Sequence, residues 1–199
     1  MSTPLTNVGS RTAAYGPAEW LLTFTIGLIW GSAFLWIALG VDLLSPGVVA
    51  FGRVALGAAT LAAFPAARRA IHRSDWYLIG VIAVIGNAGP AWLVAQAETE
   101  LDSGVAGMFT AGTPILALVV ASALLWRLPG RAQVLGIGLG FIGIVLMSLP
   151  SLVGADSTPV GIGLVFIATL GYAINSNLIV PLQQRYGGPA VIMWALVVS

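Results

Sequence analysis

The sequence contains no cysteine, no lysine and a single histidine, and only 8% of its 199 residues are charged. Each scarcity closes a class of function. Without cysteine there are no disulfides, thiolate metal sites or cysteine nucleophiles. His72 stands alone in a polar link, which leaves no histidine-based metal site, and no apolar stretch offers paired carboxylates or a Ser/His pair. No catalytic residue, metal ligand or cofactor is therefore assigned, and an enzyme is not expected. The arginines are scattered among short links and the net charge is +1, so there is no basic stripe for nucleic acid.

Hydrophobic residues, by contrast, make up 58% of the chain, whereas a soluble domain carries roughly 25% charged residues. This composition indicates an all-α integral membrane protein, a polytopic transmembrane helix bundle with the lipid bilayer as its surroundings. Residues 1–18, rich in Ser, Thr, Pro and Gly, read as a mobile cytoplasmic tail. Six apolar spans follow at 20–39, 46–66, 76–97, 103–125, 133–149 and 160–180. Each approaches the ~20 residues needed to cross a ~30 Å hydrocarbon core. The first exceeds the ~7–15 residues of a signal-peptide core and no A-x-A-like site closes it, so it is read as a retained helix. A seventh span begins near Ala190 and stops after about ten residues, short of the ~20 required. The sequence is therefore expected to be cut.

Cytoplasmic links carry excess arginine. Counting alternate links, Arg11, Arg68, Arg69, Arg73, Arg127, Arg131 and Arg185 fall on one side, and Asp42, Glu98, Glu100, Asp102 and Asp156 on the other. One missed span would scramble that segregation. It supports the count and a cytoplasmic N-terminus in the plasma membrane. A weak internal echo relates Trp30-Gly31-Ser32 to Gly171-Tyr172-Ala173, each followed by a turn and a proline. An odd number of spans separates them, so the second copy enters from the opposite side, as in an inverted repeat.

Gly138-Leu139-Gly140-Phe141-Ile142-Gly143 matches a dinucleotide fingerprint, but it lies inside a span and no strand precedes it. Gly136 and Gly140 instead form a small-xxx-small pair suited to helix packing. Arg53 is the eighth residue of its span, about 10 Å below the surface at ~1.5 Å per residue. Its neighbours at helical spacing, Ala50, Gly57 and Thr60, are mostly small, which turns that face toward other helices. Intramembrane ionisable groups are functional candidates by default, and the structural alternative ties Arg53 to backbone carbonyls, Glu98 or Asp102.

Pro90 in Gly86-Asn87-Ala88-Gly89-Pro90 and Pro114 in Thr110-Ala111-Gly112-Thr113-Pro114 interrupt two spans. Each lacks an N–H and frees the carbonyl four residues earlier, and interrupted helices point to transporter binding sites. Asn175 and Asn177, two residues apart, do not share a helix face, so one lines a cavity and the other bonds a neighbouring helix. Trp30 lies near mid-span. Arg68, Arg69, His72 and Arg73 need no role beyond setting topology.

Together, Trp30-Gly31-Ser32-Ala33-Phe34, Pro46 with Arg53, Thr113-Pro114-Ile115-Leu116-Ala117, and Gln133 with Gly136 and Gly143 resemble EamA-type membrane domains of the drug/metabolite transporter superfamily. The resemblance implies one five-helix repeat over 20–149 and the start of a second, incomplete, over 160–199, with the two repeats inverted. It further implies a central cavity and the transport of small metabolites, often outward. Two departures stand out: the Arg127 to Arg131 link lacks the acidic residue the family often places there, and most of a second repeat is absent. The resulting expectation is a secondary transporter with Trp30, Arg53, Asn87, Thr113 and Asn175 as substrate contacts. The alternative is a non-transporting half-module that assembles as a homodimer or with a second half-module.

Overall fold

A computed structural model describes residues 16–125, 130–152 and 158–199. Most of the expected tail, and Arg11, Arg127 and Asp156 of the charge count, lie outside the described residues. The described residues are helical, with no strand among them. The helices are α1 (Pro17–Val41), α2 (Pro46–Ala62), α3 (Trp76–Ile82), α4 (Gly89–Ala97), α5 (Ser103–Ala111), α6 (Thr113–Leu125), α7 (Arg131–Leu152), α8 (Pro159–Leu178), α9 (Val180–Tyr186) and α10 (Gly188–Val198). A π-turn, Ala83–Ala88, joins α3 to α4.

Among the described residues, four stretches are long and apolar enough to cross a membrane: Pro17–Val41, Arg73–Ala97, Ser103–Leu124 and Pro159–Leu178. Pro46–Ala62, Gln133–Gly143 and Gly188–Val198 are shorter apolar helices. The second span thus ends before the expected residue 66. Pro65 disfavours helical backbone at the residue before it, and Phe64 is extended at φ −94°, ψ 124°. Pro181 similarly falls just after α8 ends at Leu178.

The chain forms two compact units, residues 1–33 and 34–199. In the first, α1 hides its own polar groups. Gly16 N–H donates to Glu19 Oε2 at 3.0 Å, and the Thr23 and Thr25 hydroxyls donate to the Glu19 and Leu21 carbonyls at 2.8 Å. Leu21, Leu22, Phe24 and Leu28 are exposed, an outer surface suited to lipid and not to water.

In the second unit, Ile37, Val94, Val105 and Val165 bring the end of α1 together with α4, α5 and α8 in one buried cluster. Ile79, Ile82, Ile179, Leu182 and Val191 form another between α3, α9 and α10. Alanines fill many close approaches, with Ala95, Ala97, Ala106, Ala168 and Ala173 fully buried. Small residues of this kind let helix backbones come near each other without an aqueous hydrophobic drive.

Two links on the arginine-rich side are tied together by Asp75. Its carboxylate pairs with Arg185 at 2.7 Å and accepts the Tyr186 hydroxyl at 2.6 Å. Tyr186 in turn accepts the His72 N–H at 3.3 Å. The opposite, acidic links are joined where the Thr158 hydroxyl donates to Glu100 Oε2 at 2.6 Å and Thr158 N–H to the Glu100 carbonyl at 3.0 Å. The turn from α9 into α10 rests on Gly187 at φ 87°, ψ 145°, a region open to glycine almost alone. Gly187→Ala is expected to destabilise the fold by about 1–3 kcal/mol, read as a lower unfolding temperature in detergent.

Candidate functional site

The site is built on the interruption of the third span. Pro90 can donate nothing to the Gly86 carbonyl, and the helix widens instead of breaking. The Gly89 N–H donates to the Val84 carbonyl five residues back, and the Asn87 carboxamide donates to the Ile82 carbonyl at 3.4 Å. Single π-turns of this kind recur at functional sites. Helix α8 lies directly against the widened turn. A Cβ on Gly171 would stand 2.8 Å from the Ile85 carbonyl oxygen and 3.1 Å from Pro90 Cγ, and one on Gly86 would fall within the Asn175 carboxamide.

In front of this junction lies a cavity of about 160 Å³. Arg53 and Val54 reach it from α2, Gly86 and Asn87 from the π-turn, Ala91 from α4, Tyr172 from α8 and Leu196 from α10. A neighbouring cavity of about 180 Å³ shares Val54 and is lined by Ala50, Phe51, Ala88 and Trp92 among others. Both fall below the ~300–1,000 Å³ of drug-sized pockets, a scale that suits small solutes.

Arg53 makes neither a hydrogen bond nor an ion pair among the described residues, so the structural alternative, a tether to Glu98 or Asp102, is not what the structure holds. Arg53 lines the cavity but is itself exposed, so its face is not closed off by other helices as expected, and its guanidinium donors are left open to a further partner. Glu98, in the link beyond α4 and outside the spans, is only 8% exposed, and both carboxylate oxygens are buried without a hydrogen-bond partner. Burial pushes its carboxyl up to about 8, against the opposing pull of the Arg53 charge.

The expected contacts separate. Arg53 and Asn87 meet at the cavity. Asn175 stands behind Gly86, with its Oδ1 buried and unpartnered. Asn177 is the asparagine that bonds a neighbouring helix, donating to the Ala117 carbonyl of α6 at 3.0 Å. The Thr113 hydroxyl is committed to the Thr110 carbonyl at 2.6 Å, the group freed by Pro114. Gly140 would place a Cβ 3.9 Å from Ile115, while Gly136 has nothing within 4 Å. Trp30 belongs to the first unit, where it is exposed.

Tyr172 was not expected at the site, and Glu98 was expected only as a tether for Arg53. Tyr172 carried a signal, a hydroxylated aromatic one helical turn before Asn175. Glu98 was hidden by its place at the end of a span, where an acid reads as part of a solvated link.

Residues 18–149, more than half of the chain, match the model of the EamA-like transporter family. The chain belongs to the EamA-like transporter family. An uncharacterized transporter of Archaeoglobus fulgidus is 26% identical over 168 residues, covering 84% of this chain and 59% of that relative. The match thus spans less than two thirds of the relative's length. No solved structure matches the chain. Membership agrees with the helical, multi-pass membrane architecture, and the family region contains Arg53, Asn87 and Glu98 and ends before Tyr172.

Gly86 leaves no room for a side chain beside the Asn175 carboxamide. Gly86→Ala is expected to destabilise the protein by about 1–3 kcal/mol through overpacking, and adding Asn175→Ala is expected to recover most of that loss. Unfolding of both variants in detergent checks it.

Proposed function

We propose that this chain is the N-terminal part of a secondary transporter that moves small anionic metabolites outward across the plasma membrane by alternating access. Family membership supports transport. The observation that supports an anion is the unpaired Arg53 in a cavity otherwise lined by uncharged groups. A guanidinium in such surroundings favours a carboxylate or phosphate, which it can bind in two-pronged fashion. Asn87 and the Tyr172 hydroxyl supply neutral hydrogen-bonding groups around it.

Alternating access in this reading moves the helices around the π-turn. A widened turn lacks the regular hydrogen-bond ladder and is the natural place for the third span to flex. The arginine-rich links face the cytoplasm, which puts Arg53 and Glu98 nearer the outer surface. The 59% coverage of the relative favours a longer parent with a second, inverted repeat. The half-module reading draws on α7, where Gly136 is open to a close-packed partner, and crosslinking in membranes distinguishes it.

Proteoliposomes carrying the chain, or its longer parent, would be tested with a panel of small mono- and dicarboxylates. Arg53→Ala is expected to reduce flux at least about tenfold, which corresponds to ~1.4 kcal/mol, and Arg53→Lys to keep part of it. Undiminished flux in a folded Arg53→Ala variant would remove Arg53 from the site.

A further inference from the structure

Glu98 is a group that the transport reading does not yet use. It has both carboxylate oxygens buried and unpartnered. A carboxylate ion so enclosed would be strongly disfavoured, so the geometry itself calls for a neutral acid. Its surroundings explain why nothing neutralises it by contact. Helix α4 packs against α2, α8 and the π-turn. Of these, α2 carries only Arg53, α8 only Tyr172, and the π-turn no titratable residue. Neighbouring α5 has none. In the same link, the Glu100 carboxylate is occupied by the Thr158 hydroxyl, and Asp102 is exposed. Asp42, at the end of α1, is exposed as well. Arg53 is the cation that acts on Glu98, at a range too long for an ion pair.

We propose that Glu98 is the chain's proton-binding site, and that it takes up its proton together with the binding of an anion at Arg53. This role for Glu98 deepens the transport reading and rests on it for the anion. One positive charge serves two negative groups. While Glu98 is ionised, Arg53 is partly engaged in stabilising it. When Glu98 holds its proton, Arg53 is released to an anion, and by reciprocity an anion at Arg53 makes the proton harder to lose. Release is the reverse step: the Glu98 O–H bond breaks, the proton goes to water, and the electron pair stays on the carboxylate facing Arg53. A monovalent anion leaving with this proton leaves as an electroneutral acid, so its own gradient and the proton gradient, and not the membrane potential, set its movement.

The folded protein holds this proton to about 8, against 4.5 for the ordinary group. Stability contributed by the neutral acid is complete below 4.5 and is lost as pH rises toward about 8. The test is an infrared pH titration of the full chain in lipid nanodiscs, with the proton itself as the probe. A protonated-carboxyl band is expected to disappear as pH rises, to be absent in Glu98→Gln, to persist in Glu100→Gln and to return in Glu98→Asp. Arg53→Ala is expected to shift its midpoint upward. Thermal unfolding should show a decline with pH in wild type that Glu98→Gln flattens. A band that survives Glu98→Gln, or a midpoint indifferent to Arg53→Ala, would overturn the proposal. Organic-anion flux without titration of Glu98 would sink it and leave the transport reading, whereas titration of Glu98 without flux would support the proton site and sink that reading.

Discussion

Every backbone carbonyl within a bilayer must find its donor inside the protein, and this chain meets that demand beside two prolines by two different repairs. At Pro114 the repair is a side chain: the Thr113 hydroxyl reaches the Thr110 carbonyl, and α5 passes into α6 across Gly112. At Pro90 the repair is the backbone itself, which widens into a π-turn with Asn87 bonding the Ile82 carbonyl. Only the second repair alters the helix enough to shape its neighbours. The widened turn admits α8 at Gly171, seats Asn175 over Gly86 and leaves Asn87 at the cavity edge. The site is thus a consequence of how one missing N–H is accommodated.

The electrostatics follow from the same packing. Arg53 on α2 looks into the cavity without a partner, and Glu98 at the end of α4 is enclosed without one. Exposed Arg53 and enclosed Glu98 stand too far apart for an ion pair. Their separation leaves Arg53 available to a third charge, which is the physical basis for reading the cavity as an anion site and Glu98 as the group that responds to its occupation. The arginine-rich links show the opposite arrangement, where Asp75 is occupied by Arg185 and Tyr186 and holds two connections in place.

Helices and their approximate ends were legible in the sequence because lipid imposes long apolar runs, and prolines mark where they stop or bend. The second span was read too long because its apolar composition continues past Ala62, whereas the extended Phe64 before Pro65 ends the helix. Arg53 and Asn87 were legible because a charge and a carboxamide are conspicuous within apolar surroundings. Thr113 was equally conspicuous, but its hydroxyl serves a carbonyl in its own segment, which polarity alone does not reveal. The choice between Asn175 and Asn177 depends on which helix lies opposite each face. Glu98 was legible only as a tether for Arg53, because its burial arises from α4 and its neighbours closing around a link, and no local pattern encodes that.

The most direct measurement of the central claim uses the absence of cysteine, which allows single thiols to be introduced without removing any. Asn87→Cys and Tyr172→Cys, with Ile167→Cys on an exposed apolar position of α8 as control, would be exposed in membrane vesicles to a water-soluble, membrane-impermeant thiol reagent. The account predicts that the two cavity positions react and the control does not, and that a carboxylate bound at Arg53 slows the reaction at both. Asn87→Cys and Tyr172→Cys variants as inert as Ile167→Cys would contradict it, because a cavity closed to water from both sides cannot receive a solute.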